Sequence, residues 1–110
     1  MEPAGDVVLA VSTAPDADTA ERIARVLVEE RLAACVNVLP GVASLYRWEG
    51  EVREDAESAL ILKTTASRFE GLRARIRALH SYDLPAILAL PAATGDADFL
   101  AWVREQAGPG

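Results

Sequence analysis

The stretch Ala34-Cys35-Val36-Asn37-Val38-Leu39-Pro40-Gly41-Val42-Ala43-Ser44-Leu45-Tyr46-Arg47-Trp48, followed by Glu49-Gly50-Glu51 and the returning run Val52 to Thr64, decides the fold. Both arms are rich in strand-forming residues. Pro40-Gly41 interrupts the first arm where a bulge or bend fits, because Pro lacks the ladder donor and Gly tolerates positive φ. Glu49-Gly50-Glu51 supplies the turn. An arm of 15 residues at about 3.3 Å each spans roughly 50 Å, whereas a globule of this chain length has a radius of gyration of about 13 Å. The hairpin therefore overshoots its own domain. Its far end alternates charge and bulk (Tyr46, Arg47, Trp48, Glu49, Glu51, Arg53, Glu54, Asp55), which keeps it soluble, yet long strands with free edges are rarely left unpaired.

Working outward, Val7 to Val11 is a continuous apolar run of the kind found in strands covered on both faces, ending at Thr13-Ala14-Pro15-Asp16. Asp18, with Glu21 three residues on, predicts a capped helix to about Arg31. Ala20, Ile23, Ala24 and Leu27 form its buried stripe, and Glu21 and Arg25 its solvent face. A second helix is predicted from Ser67, with Glu70 as its capping-box partner, burying Phe69, Leu72, Ile76 and Leu79 and ending near His80. A last strand, Ala86 to Leu90, sits between Pro85 and Pro91. Asp96 or Asp98 caps a short third helix carrying Phe99, Leu100, Trp102 and Val103, stopped by Gly108. Met1 to Gly5 and Gly108 to Gly110 read as frayed ends.

The order β-α-β-β-α-β plus a terminal helix predicts an α+β, ferredoxin-like sandwich, with two helices on one face of a four-stranded antiparallel sheet. Apolar residues occupy both alternations of several strands: Ala34, Val36 and Val38 against Cys35 and Leu39, and Leu60 and Leu62 against Ala59 and Ile61. Burial on both faces follows. The terminal helix is too small to cover the second face, so other subunits are expected to do so. With 110 residues the chain reads as a single domain over 1–110, its core at about 7–107. Against 11 Lys and Arg stand 17 Asp and Glu, a net charge of −6, which disfavours nucleic acid as a partner. No apolar run approaches the 20 or so residues of a membrane span. One Cys and one His fall short of a four-ligand zinc site within one chain. With no signal-peptide core, an unpaired thiol fits a cytoplasmic protein.

Seven spaced motifs then point to a family. Thr13-Ala14-Pro15-Asp16, Glu30 to Asn37, Pro40-Gly41, Tyr46-Arg47-Trp48-Glu49-Gly50, Leu62-Lys63-Thr64, His80 to Pro85 and Asp98 to Trp102 resemble, in order, the CutA family of divalent-cation tolerance proteins. The resemblance runs from about Val7 to Arg104. It implies a compact homotrimer similar in architecture to the PII signalling proteins, long strands paired across subunits, and an association with tolerance to copper and other divalent metals. Some family members are thought to bind copper through a Cys at the end of the first strand and two adjacent His after the second helix. Here those positions hold Ser12, Leu79 and His80. Ser81 stands where the family usually has Pro, and Asp83 where Glu is common.

The candidate metal ligands are therefore His80, Asp83 and Cys35. Cys35 reads either as a small buried hydrophobe or as a metal or redox group. His80 closes the basic helix that carries Arg73, Arg75 and Arg77, and neutral imidazole is the commonest metal ligand at neutral pH. Lys63, the only lysine, lies on an apolar strand with Glu57 six residues before it on the same face; it is either a paired structural ion or part of an intersubunit pocket with Glu57, His80, Tyr82 and Asp83. Tyr46 and Trp48 are expected at an interface of that pocket. Glu51, Glu54, Asp55 and Glu57 make either a solvated hairpin tip or a loose site for a hard cation. No glycine cluster forms a phosphate-binding loop and no nucleophile motif is present, so catalysis is the least supported class. The leading reading is a non-enzymatic, CutA-like homotrimer that binds divalent metal, copper among them, weakly or at intersubunit sites, with no obligatory cofactor. The alternative is a PII-like trimer that takes a small ligand in its intersubunit pocket and meets a protein partner with its hairpins.

Overall fold

The structure, a computed structural model, describes residues 2–108, with side chains from residue 4 onward. Strand β1 (Glu2–Ala14) leads into helix α1 (Ala17–Glu29), the hairpin β2 (Cys35–Trp48) and β3 (Glu51–Thr65), helix α2 (Ala66–Leu79), strand β4 (Ile87–Gly95) and helix α3 (Ala97–Gln106). The sheet order is β2-β3-β1-β4 and every pair is antiparallel. This is the ferredoxin-like arrangement expected from the element order.

The hairpin behaves as its sequence demands. β2 and β3 pair from Cys35–Lys63 out to Trp48–Glu51, with one register shift between Leu39 and Val42, where Gly41 takes a φ of 72°. Glu49 and Gly50 both have positive φ, 51° and 80°, as a two-residue turn must if it is to match the right-handed strand twist. β1 stops pairing with β3 at Ala14–Ser58. From Glu57 to Glu51, β3 has only β2 beside it, so the hairpin leaves the sheet as a two-stranded arm. The molecule is accordingly elongated, with extents of 43 × 25 × 22 Å and a radius of gyration of 14.5 Å.

One sheet face is closed by α1 and α2. Ala20, Ile23, Ala24 and Leu27 of α1 and Leu72 and Ile76 of α2 pack on Ala10, Ala14, Leu60 and Leu62, while Phe69 and Leu79 flank this cluster half-buried. The other face is closed only at one end, where Leu100 and Val103 of α3 pack on Ala4, Val7 and Ala34. Two arginines fasten α3. Arg31 donates to the carbonyls of Gly108 and Glu105 (3.0 and 2.7 Å), and Arg68 to those of Ala107 and Gly108 (3.1 Å each), satisfying carbonyls that a helix C-terminus leaves unpaired. Beyond α3 the face is open within the subunit, with Leu9, Leu39, Leu88 and Leu90 all exposed.

Several expectations need correction. Asp16, and not Asp18, caps α1, accepting from the Thr19 amide at 2.7 Å; Asp18 sits in the first turn, where its charge suits the helix dipole. Ser67 and Glu70 form no capping box. Thr65 is still paired with Val7 in the sheet, so α2 starts directly at Ala66, and Glu70 instead binds Arg73 at 2.6 Å. β4 runs on through Pro91 to Gly95, because it is an edge strand that tolerates a missing ladder donor. Glu2 to Ala4 are not frayed but pair with Ala92 to Gly95, and Gly108 is held by the two arginines. Met1, Pro109 and Gly110 lie outside the described residues.

Ser12 is 4 % exposed on the helix-covered face, and its Oγ has no hydrogen-bond partner among the described residues. A buried hydroxyl of this kind carries its desolvation penalty uncompensated. Ser12→Ala is therefore expected to leave the urea midpoint unchanged or raise it. Leu62→Ala, which empties a fully buried site, is expected to cost about 2–5 kcal/mol. Comparable losses in the two variants would contradict this core.

Candidate functional site

His80 and Tyr82 of the loop after α2 meet Thr13 and Glu57 where β1 ends and the hairpin arm begins. α2 finishes with the His80 amide donating to the Ile76 carbonyl at 2.8 Å, after which the backbone turns extended (φ −83°, ψ 144°). That turn carries the half-buried His80 ring to β1, with Nε2 2.7 Å from the Thr13 carbonyl oxygen. The Tyr82 amide donates to Nδ1 at 3.1 Å. A carbonyl only accepts, so Nε2 carries the proton and Nδ1 offers the lone pair. The His80 and Tyr82 rings meet at 4.6 Å, inclined by 45°.

The Tyr82 hydroxyl donates to Oε2 of Glu57 at 2.9 Å. Glu57 is a buried carboxylate on the first β3 residue past the end of β1. Burial, followed by the Glu57 carboxylate, pushes the Tyr82 phenol up to about 12. A second phenol–carboxylate pair lies further along the arm, where the Tyr46 hydroxyl donates to Asp55, two residues from Glu57 on the same face of β3. That bond raises the Tyr46 phenol above its ordinary value.

Other expected site residues are placed elsewhere. Lys63 hydrogen-bonds the Asn37 side chain and sits six residues, about 20 Å, along β3 from Glu57. Within one subunit its ammonium is held by a neutral amide and not by a carboxylate, and it does not join the Glu57–Tyr82 cluster. Cys35 is half-buried opposite Lys63, while Thr13, which anchors His80, lies four residues along β1 from Leu9, the partner of Lys63; that is about 13 Å away. The Asp83 carboxylate is exposed, and only its backbone carbonyl is engaged, by Arg77 at 3.1 Å. Trp48 stands exposed at the arm's tip opposite Glu51. His80, Asp83 and Cys35 are thus not brought together in one subunit. Among the described residues, no three His, Cys, Asp or Glu side chains converge to hold a metal ion. The basic face of α2 is likewise spent, with Arg73 on Glu70, Arg75 on Glu30 at 2.9 Å and Arg77 on Asp83. An open groove of about 480 Å³ runs between α1 and β2, lined by Ala24, Val28, Val36 and Val38 with Glu21, Arg25 and Glu29.

Fold and motifs together define a class, the ferredoxin-like proteins with an overlong central hairpin. Residues 8–106 match the family model described as CutA1 divalent ion tolerance protein, and the chain belongs to that family. The divalent-cation tolerance protein CutA of Thermus thermophilus is 53 % identical over 87 % of this chain and 93 % of its own length. A solved structure of the divalent cation tolerance protein (Cut A1) from Thermus thermophilus superposes with a TM-score of 0.91 at 50 % identity, covering 93 % of this chain and 99 % of that one. The structure of the periplasmic divalent cation tolerance protein CutA from Archaeoglobus fulgidus gives 0.90 at 40 % identity, covering 93 % and 99 %. Among the described residues, no helix is long and apolar enough to cross a membrane.

The raised Tyr82 phenol has a consequence for stability. The unfolded phenol ionises near pH 10 while the folded one holds its proton to about 12, so the folded state binds more protons in that interval. The contribution is complete below pH 10 and is lost as pH rises towards 12. The wild-type urea midpoint is expected to fall more steeply than that of Tyr82→Phe between about pH 9.5 and 11.5. Parallel pH profiles would contradict the assignment.

Proposed function

We propose that this chain is a homotrimeric, non-enzymatic protein of divalent-metal tolerance, and that it binds divalent cations, Cu²⁺ among them, weakly at the acidic hairpin surface and between subunits. The observation that carries the assembly is the pairing of an open apolar sheet face with an arm that outruns its own sheet. Leu9, Leu39, Leu88 and Leu90 on the face, and Leu45, Tyr46, Trp48 and Val52 on the arm, are exposed in the single chain. Apolar surface on this scale marks an interaction site. A second and third copy of the chain are the cover that a symmetric oligomer supplies without further partners. The metal role rests on membership in a family whose relatives are named for divalent-cation tolerance.

Glu51, Glu54 and Asp55 on the arm and Asp83 after α2 are exposed carboxylates, Asp55 also accepting from Tyr46, and cations take such oxygen ligands. Cys35 would contribute only alongside residues of another subunit, since its own subunit brings neither His80 nor Asp83 near it. A cytoplasmic location is part of the proposal and rests on the unpaired Cys35 thiol, an ordinary group in a reducing compartment.

Two measurements test this reading. Expression of the chain in a copper-sensitive host is expected to raise the copper concentration that the host survives; unchanged survival contradicts the tolerance role. In isothermal titration, Cu²⁺ is expected to bind weakly, the heat falling in the double variant Glu54→Gln/Asp55→Asn and holding in His80→Ala. The assembly also predicts a melting transition above the ordinary mesophile range of about 45–65 °C, because association adds to one small core.

A further inference from the structure

We propose that His80 is a positioning residue, a latch whose two ring nitrogens fasten the loop between α2 and β4 to the end of β1 and so set Tyr82 against Glu57 at the root of the hairpin arm. The family resemblance suggests a copper ligand at this position. The ring geometry points elsewhere.

A divalent ion takes an imidazole through a free lone pair. In His80 the proton on Nε2 is spent on the Thr13 carbonyl at 2.7 Å, and the Nδ1 lone pair is spent on the Tyr82 amide at 3.1 Å. Capturing an ion at Nδ1 breaks the Tyr82 bond and leaves that amide without its acceptor; capture at Nε2 breaks the Thr13 bond. The other two positions of the implied set do not fit a soft metal either. Ser12 offers a hydroxyl that is 4 % exposed under the helices, and Leu79 offers no donor and packs half-buried against the core. The copper set that the resemblance implies is absent from this chain.

What the residues do instead is mechanical. β1 makes its last pair with β3 at Ala14–Ser58, and Glu57 is the next residue outward. The arm therefore loses its third strand at the point where Tyr82 grips Glu57 at 2.9 Å. A two-stranded ribbon is marginal on its own, so a brace at its root limits how far it swings. His80 provides the footing for that brace. Thr13 holds the ring, the ring holds the Tyr82 amide, and the Tyr82 hydroxyl holds the arm, with the Arg77 bond to the Asp83 carbonyl, 3.1 Å, closing the loop behind it. The latch rests on this geometry alone and is independent of the cation reading above.

His80 is the only histidine in the chain, so full-length protein labelled with ¹⁵N-histidine reports one imidazole. At neutral pH the spectrum is expected to show the Nε2–H tautomer. One equivalent of Zn²⁺, a diamagnetic divalent probe, is expected to leave both ring ¹⁵N shifts unchanged, because neither nitrogen offers it a free lone pair. Hydrogen exchange is expected to show the Tyr82 amide protected in the wild type, with protection falling about fivefold in His80→Phe, the equilibrium worth of one ordinary hydrogen bond, while α1 amides keep theirs. An Nδ1–H tautomer, a Zn²⁺-induced shift of a His80 ring nitrogen, or unchanged Tyr82 protection in folded His80→Phe overturns the latch. If His80→Phe does not fold, the wild-type tautomer and zinc readouts decide alone. If the protein binds no copper, the cation reading fails, while the tautomer and the wild-type Tyr82 protection still decide the latch.

Discussion

The β2–β3 ladder continues past the end of β1, and the rest of the molecule is organised around that overrun. Up to Ser58 the hairpin is the interior and edge of a four-stranded sheet. Beyond it, each backbone group on the outer edges of the arm and each apolar side chain on its faces must find a partner outside the subunit or remain in water. The open sheet face poses the same demand, because α3 reaches only the end that carries Val7 and Ala34. The proposed trimer answers both demands with one operation. The proposed assembly thus rests on strand length and on two-sided apolar patterning, before any ligand is considered.

The polar side chains of the motifs read as fastenings placed where regular structure ends. Arg31 and Arg68 bind the last carbonyls of α3. Thr64 reaches the Leu32 carbonyl at 2.7 Å, tying β3 to the turn after α1. His80 and Tyr82 close the loop after α2 over the last residues of β1 and the first of the arm. In each case a side chain satisfies a backbone group, or positions one that does, at a site where the helix or sheet ladder has run out of partners. Such bonds are individually modest, about 1 kcal/mol each, but they act on the hinges about which α3 and the arm would otherwise move.

Much of this was legible in the sequence because it is periodic. The stripe Ala20, Ile23, Ala24 and Leu27, the pair Leu72 and Ile76, the bulge at Pro40-Gly41 and the turn at Glu49-Gly50 all follow from spacing and from the conformations that Pro and Gly impose. Boundaries were less legible. Asp16 and Asp18 are equally good caps by type, and only the path of the chain selects Asp16. Pro91 reads as a stop, and becomes a tolerated residue only once β4 is known to lie at an edge. Glu57 and Lys63 share a strand face, which is visible as parity, but the distance between them along that face separates the pocket proposed for both. The arginine clamp on α3 and the His80–Thr13 bond join residues far apart in the chain, 77 and 74 positions for Arg31 and 67 for His80. No local pattern announces them; a basic residue just past a helix end, as Arg31 is, was the only available signal.

Oligomeric state tests the central claim most directly. Multi-angle light scattering on the full chain at micromolar concentration is predicted to return a mass of three chains, held on dilution. A stable species of one chain mass would show that the arm and the open face are tolerated in water, and would contradict the account.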